Sequence, residues 1–330
     1  MIHPIDRLGA LALERGPDRL RFFRDGWGEE SALLDAVVLP SGDPQPADIT
    51  WSAPSAREEL RLATGVFETG HVDLPGWARP ARVFEIAPAD PTGRVVVLMA
   101  AWNEHESKSR IALAVRLADA GIASWILEHP MYGTRRPGPP HHQSVRTVTD
   151  FMLMGRAAIE EGRALLAALE ASGRRAGIAG YSMGGNLAAL ISATMPSPVA
   201  TAPLAAPYSP APVYLSGALR GGVDWEALRR DGNGAAPMTR PEVEARLGAI
   251  MDSASVLSLD APRHAAAAVL VGARRDGYVP SSATARLHRH WPGSELRWVA
   301  GGHATLLWAR KRLLVQAIVD SFRRVHEVAG

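Results

Sequence analysis

Five consecutive residues, Gly180-Tyr181-Ser182-Met183-Gly184, carry the clearest chemical signal in the chain. Gly-x-Ser-x-Gly is the pattern of a nucleophile elbow, a sharp strand-to-helix turn that exposes a serine hydroxyl. The turn forces the serine into a strained backbone conformation, and side chains at the two glycine positions would collide across it. It also sets the serine at a helix N-terminus, where free N–H groups favour developing negative charge. The flanks suit this reading. Residues 174–179 end apolar like a buried strand, residues 186–193 are small and apolar at helical spacing, and Pro196 stops them.

A serine hydroxyl is a poor nucleophile until a base takes its proton, and the base works best when a carboxylate orients its ring. In elbow architectures these partners follow in the order Ser, acid, His, each after a later strand. Asp276 follows the strand-like residues 267–272, and His303 follows residues 295–299. Loop tips at the C-terminal ends of parallel strands are where α/β sites assemble. Around His303, Gly301 and Gly302 leave room for the loop to approach the elbow. Plainer roles exist for both: a turn aspartate before Gly277, and a histidine at a helix start. Asp252 and Asp260 compete for the acid role, but both lie outside the strand ends.

An acyl-transfer site also needs an oxyanion hole. Met183 N–H is one expected donor, and the loop after residues 94–101 should supply another. Trp102 N–H is the candidate there, with Ala101 close behind, and Trp102 is alternatively only a wall of the pocket. Glu104-His105-Glu106 reads as capping for a helix beginning near Ser107. His141 and His142 are adjacent and His288 and His290 are two apart on a helix, so neither pair suits one metal. Trp102, Trp125, Trp225, Trp291 and Trp298 read as core or cap packing.

Elements that could hold these residues alternate from residue 81 onward, the signature of a mostly parallel sheet built from βαβ units. Strands are expected at 82–86, 94–101, 122–127, 174–179, 199–204, 267–272 and 295–299. Helices are expected from Ser107 to Ala120, with Gly121 ending the first, then at about 146–172, 186–193, 281–290 and 304–327. Residues 128–140 form a Pro- and Gly-rich loop. Residues 205–262 break the alternation with prolines and short helical pieces, and read as a cap inserted over the sheet. The expected organisation is therefore an N-terminal extension (1–80), core (81–204), cap (205–262) and core again (263–330). Residues 33–39 fit strand or helix, and 41–46 a linker.

Composition sets outer bounds. At 330 residues, 47% hydrophobic and 21% charged, the chain can bury a large core. A net charge of +2, with lysine only at Lys108 and Lys311, gives no basic stripe for nucleic acid. Zero cysteines exclude disulfides, thiol catalysis and Cys-ligated zinc. The N-terminus lacks an apolar stretch of signal-peptide length, and the longest apolar run, 95–102, is too short to span a membrane. A soluble, cytoplasmic protein without an integral membrane segment is expected.

Several longer stretches extend the match beyond one motif. They are Glu128-His129-Pro130-Met131-Tyr132-Gly133-Thr134-Arg135-Arg136-Pro137, Thr149-Asp150-Phe151-Met152-Leu153-Met154-Gly155 and Ser182-Met183-Gly184-Gly185. Further on come Ser216-Gly217-Ala218-Leu219, Asp224-Trp225, Asp276-Gly277-Tyr278-Val279-Pro280, Trp291-Pro292-Gly293 and Gly301-Gly302-His303. In this order, across about residues 95–325, the chain resembles the α/β hydrolase domain-containing protein 18 family. The resemblance implies an α/β-hydrolase fold with a helical cap and Ser182, Asp276 and His303 as the triad. It supplies no substrate. One departure is Ala101-Trp102-Asn103-Glu104-His105, where family members tend to carry Gly-Thr-Gly-Asp-His, which puts a bulky residue beside the expected oxyanion hole. In this frame Tyr132 could donate to the oxyanion and Arg135 or Arg136 could bind an anionic substrate group. Alternatively, these residues tie down their long loop.

The expected function is a serine hydrolase cleaving a small-molecule ester with an apolar acyl chain, with no cofactor and no metal. Amide or peptide cleavage and acyl transfer to an alcohol use the same triad. A non-catalytic binding scaffold, its site blocked by Trp102, is the rival of a different class. Residues 1–80 either pack on the sheet edge or help pair subunits into a homo-oligomer.

Overall fold

A computed structural model describes residues 2–15, 21–71, 73–137, 145–230 and 237–329. Its strands, in chain order, are β1 (Thr50–Trp51), β2 (Ser55–Arg57), β3 (Leu60–Glu68), β4 (Pro80–Pro88), β5 (Arg94–Met99), β6 (Ile122–Glu128), β7 (Arg175–Tyr181), β8 (Ala200–Leu204), β9 (Val269–Ala273) and β10 (Glu295–Val299). Its helices are α1 (Pro4–Arg15), α2 (Glu30–Ala36), α3 (Lys108–Ala118), α4 (Val148–Ala171), α5 (Met183–Ala193), α6 (Ala211–Leu215), α7 (Trp225–Arg230), α8 (Arg240–Ser253), α9 (Ser281–His290), α10 (His303–Ala309) and α11 (Lys311–Ala329).

All ten strands join one sheet, in the order β1-β3-β4-β6-β5-β7-β8-β9-β10 with β2 beside β3. From β6 to β10 every pairing is parallel, whereas β4 meets β6, β3 and β1 add on, and β2 pairs with β3, all antiparallel. The sheet therefore reaches back to Thr50, well inside the segment read from sequence as an extension.

Two-residue periodicity explains why the central strands are apolar throughout. On β5, Val95, Val97 and Met99 enter one core with Leu165, Leu166 and Ile178, while Val96 and Leu98 enter another with Leu113, Leu117 and Phe322. α4, α5 and α9 cover the first face, and α3 and α11 the second, as a doubly covered parallel sheet requires. Contact with α11 is close enough that a Cβ at Gly177 would strike the Phe322 ring.

Some boundaries differ from the sequence reading for local reasons. Residues 33–39 fall partly in α2, whose first turn is capped by Glu29 accepting from Ser31 and Ala32 N–H. α4 starts at Val148 because Thr147 and Asp150 form a reciprocal capping box. The single expected C-terminal helix is two, α10 and α11, broken at Arg310. Ser107 sits at the start of α3 in a left-handed conformation and makes no capping bond, so capping falls to Glu104, whose Oε1 accepts from Arg110 N.

Between β8 and β9 lie α6, α7 and α8, the helical pieces expected of the cap. Tyr214, Leu228, Val243, Leu247 and Met251 pack there with Phe22, Phe23, Trp27 and Phe151, so the arm and cap share one apolar cluster. Phe22 is stitched to the cap backbone: its N–H donates to Gly222 O, and its carbonyl accepts from Asp224 N. No helix among the described residues is long and apolar enough to cross a membrane.

Candidate active site

β7 ends at Tyr181, and Ser182 turns the chain into α5 with φ 57° and ψ −116°. Such backbone is strained for a residue with a side chain, at about 1–3 kcal/mol. Close packing holds it. A Cβ on Gly180 would run into the Gly184 backbone, one on Gly184 into Met99 O, and one on Gly185 would lie 2.9 Å from Leu204 O. Ser182 N–H donates to Leu204 O, which ties the elbow to β8. Met183 is the first residue of α5, so its N–H has no intrahelical acceptor.

The acid and base come from the ends of β9 and β10. Asp276 Oδ1 accepts from Tyr278 N at 2.9 Å and Val279 N at 2.8 Å, which fixes the carboxylate in its own turn. Its Oδ2 lies 2.7 Å from His303 Nδ1. With Nδ1–H facing a carboxylate, Nε2 carries the lone pair needed of a general base. Both side chains are buried. Tyr181 O–H donates to His303 O at 2.6 Å, and its ring lies 4.9 Å from the imidazole. The histidine is thus bound to the residue immediately before Ser182. No hydrogen bond joins Ser182 Oγ to the ring in this structure, a looseness common in unliganded sites.

Opposite the elbow, residues 100–104 form the second candidate wall. Ala100 N donates to His129 Nε2, Ala101 N to Glu104 Oε2 and Asn103 N to the Tyr132 hydroxyl, at 2.9–3.1 Å. Trp102 N–H has no acceptor among the described residues, so Ala101 drops out as an oxyanion donor and Trp102 N–H stays. The Trp102 ring turns to Phe22, 4.7 Å away, into the cluster shared by arm and cap. A cavity of about 180 Å³ reaches the strand side of the elbow at Gly180 and Tyr181, lined by Leu98, Trp102, Leu204 and Leu307 together with the charged Glu104 and Arg110.

The sequence profile of the family "Alpha/beta hydrolase domain containing 18" matches residues 20–238 and 230–324. The chain belongs to that family. Solved structures similar to this α/β hydrolase include acetyl xylan esterase 1 from Thermoanaerobacterium sp. JW/SL YS485 (TM-score 0.58, 13% identity, 92% of this chain and 97% of that one). Another is an acetyl xylan esterase from Paenibacillus sp. R4 (TM-score 0.56, 14% identity, 87% and 91%). Carboxyl esterase 2 from the mycorrhizal fungus Tuber melanosporum covers 98% of this chain and 99% of its own at TM-score 0.52 and 14% identity. At these identities the likeness establishes the fold, an α/β-hydrolase fold.

Two expected substrate contacts are corrected. Arg135 is 1% exposed, and its guanidinium is paired bidentately with Glu161 at 2.6 and 2.8 Å while also donating to Ala78 O and Glu128 O. It is a cation inside the protein, closed to substrate. The Tyr132 hydroxyl is buried and takes Asn103 N–H, so it holds the loop of residues 100–104 and is not free to donate to a substrate. Burial raises its pKa further above the ordinary phenol range. Arg136 is likewise turned onto its own loop, donating to Gly133 O.

The rival acids are elsewhere: Asp252 accepts from Ser209 Oγ, and Asp260 is exposed. His288 bonds Ser294 Oγ and His290 bonds Leu259 O. His141 and His142 lie outside the described residues. Sequence reasoning missed Tyr181, Tyr278 and Asp6. The ring of Tyr278 lies edge-on to His303 at 5.2 Å, and Asp6 accepts from the His303 backbone. Tyr181 was visible as the x of the elbow motif, whereas nothing marks Asp6 in α1.

Glu161→Gln leaves the Arg135 cation inside the protein without its counter-charge, and should destabilise by about 3–5 kcal/mol, read as a lower urea midpoint. A parent-like midpoint would refute the structural role of the pair. His105 accepts from Gly133 N and contacts Asn103 Oδ1, and burial, then Arg136, hold its pKa at about 4, below the ordinary 6.5. A depressed folded-state pKa means that the stability it contributes is complete above pH 6.5 and is lost as pH falls toward 4. The melting temperature should decline over that window, less steeply in His105→Gln.

Proposed function

We propose that this α/β hydrolase is a serine esterase acting through an acyl-enzyme. The observation that carries the reading is the Asp276–His303 pair, 2.7 Å apart, with His303 O bonded to Tyr181, the neighbour of a strained Ser182 at the start of α5. Ser182 Oγ attacks the ester carbonyl as His303 Nε2 takes its proton, and the imidazolium formed is stabilised by Asp276. The tetrahedral oxygen sits between Met183 N–H and Trp102 N–H, donors fixed by the backbone and needing no reorganisation. Collapse expels the alcohol, protonated by His303. Water then attacks the acyl-enzyme by the same proton route and regenerates Ser182.

The cavity that Trp102 and Tyr181 share beside the elbow is small, about 180 Å³, and carries Glu104 and Arg110 besides Leu98, Leu204 and Leu307, which supports a short acyl group over a long apolar chain. Across p-nitrophenyl esters from acetate to decanoate, kcat/KM should peak among the short acyl groups. A maximum at decanoate would sink this assignment of the cavity while leaving the triad untouched.

Intact-protein mass after exposure to a small fluorophosphonate tests the nucleophile without a known substrate. One equivalent should attach to the parent with loss of fluoride, and none to Ser182→Ala. A well-folded parent that takes no label would overturn the hydrolase reading and favour a binding scaffold. Trp102→Ala keeps the backbone N–H, so its labelling rate should stay within about tenfold of the parent, short of the roughly 100- to 1,000-fold loss expected when an oxyanion donor is removed. A loss of that larger size would move the donor role to the indole.

A further inference from the structure

Asp6 lies in the first turn of α1 and is wholly buried. Its Oδ2 accepts from His303 N at 2.6 Å and from Gly277 N at 2.9 Å, and its Oδ1 accepts from Ala304 N at 3.0 Å. His303 and Ala304 open α10, and the residue before them is Gly302, which has no side chain with which to cap a helix. Asp6 therefore caps that helix from 297 positions away in sequence. Gly277 directly follows the acid Asp276. One carboxylate thus holds the backbone of both loops whose side chains form the Asp276–His303 pair.

Space has been cleared for that contact on each side. A Cβ on Gly302 would overlap Asp6 Oδ2, and one on Gly277 would come within 2.9 Å of Asp6 Cβ. The glycine before His303 therefore admits α1, where the sequence suggested that it lets the loop approach the elbow. Adjacent contacts seat the helix. His3 N donates to Arg275 O, and Gly9 lies against the Tyr278 hydroxyl, so that a Cβ there would overlap it. Tyr278 in turn borders the imidazole. Further along α1, Glu14 approaches Gly221 of the cap so closely that a side chain there would overlap it.

We propose that Asp6 is a positioning residue of the active site, clamping the acid loop to the histidine loop so that the imidazole is held for proton transfer. The N-terminal helix is then part of the catalytic unit. The contacts stand by themselves, whereas their catalytic consequence rests on the esterase reading above. A misplacement of the base by an ångström or less lowers turnover steeply while leaving the acyl-binding surface intact.

Asp6→Asn keeps the shape and turns an N–H toward at least one of the three backbone donors. In this variant the amides of Gly277, His303 and Ala304 should exchange with deuterium faster, with the rest of the sheet protected as in the parent. The rate of fluorophosphonate labelling, and kcat for p-nitrophenyl acetate, should fall about 10- to 100-fold with KM nearly unchanged. Unchanged amide protection would overturn the clamp. Lost protection with parent-like labelling and kcat would overturn its catalytic role, as would a rise in KM alone. If Asp6→Asn does not fold, Gly302→Ala displaces the carboxylate from the other side and should show the same two effects. A parent that is itself unlabelled would overturn the positioning role together with the esterase reading, and the exchange data would still decide whether the clamp exists.

Discussion

The backbone at Ser182 is the constraint around which the other elements are arranged. With φ 57° and ψ −116° it is a conformation that a serine adopts only under compulsion. Compulsion comes from proximity: Gly180, Gly184 and Gly185 remove three Cβ atoms, and α5 settles directly on the carbonyls of β5 and β8. Burial of Leu187, Leu190 and Ile191 on the same helix, each contributing about 1.5–3 kcal/mol, is of a size to offset the strain. The sheet and α5 are therefore a single device, and relaxing the turn would require the helix to lift off its core.

Around that turn, the loops owe their order to polar groups inside the protein. Arg110 donates to Leu98 O, at the end of β5, and to Leu127 O of β6, while its Nε meets Glu104. Arg135 does the same between Ala78, Glu128 and Glu161. A buried guanidinium is costly unless every N–H finds an acceptor, so these cations lock the carbonyls they touch and with them the segments 100–104 and 128–136. His129 adds a neutral acceptor for Ala100 N, and burial drives its pKa well below the ordinary imidazole range. In the mechanism proposed above, donors to a developing oxyanion gain most when they cannot move, and this polar layer would supply the rigidity.

Local signals were legible in the sequence, and long-range partners were not. Gly-x-Ser-x-Gly, the apolar runs of β5, β6 and β7, and the placing of Asp276 and His303 just after strand-like runs all depend on neighbours within a few residues. Arg135 stayed open between substrate and loop because its partner, Glu161, sits on the far side of the loop in the middle of α4, and an arginine in a polar loop looks the same whether it faces water or a carboxylate. β3 was missed because its apolar Leu60, Leu62 and Phe67 do not share one face, unlike the clean period-two run that marked β4. Asp6 could not be read at all. Its three acceptor bonds reach 271, 297 and 298 positions along the chain, and a helix-first-turn aspartate is ordinary in any sequence.

Trp102 shows how the same limit applies to a family departure. Judged by size, a tryptophan beside the oxyanion loop threatens to fill the site. In the structure its ring packs at a tilt against Phe22, which meets Tyr214 at 5.0 Å, and Phe23 links that pair to Phe151. The aromatic chain therefore joins the oxyanion loop to the N-terminal arm, to α6 of the cap and to α4. Asp6 makes the corresponding junction on the opposite side, between α1 and the loops of Asp276 and His303. Each wall of the site is thus fastened to the N-terminal arm by a different interaction, aromatic ring packing on one side and carboxyl hydrogen bonds on the other. A bulky residue in the first position is compatible with an open elbow because the arm supplies the surface that absorbs it. The residues before β4, least readable in sequence, are the ones that both sides of the site share.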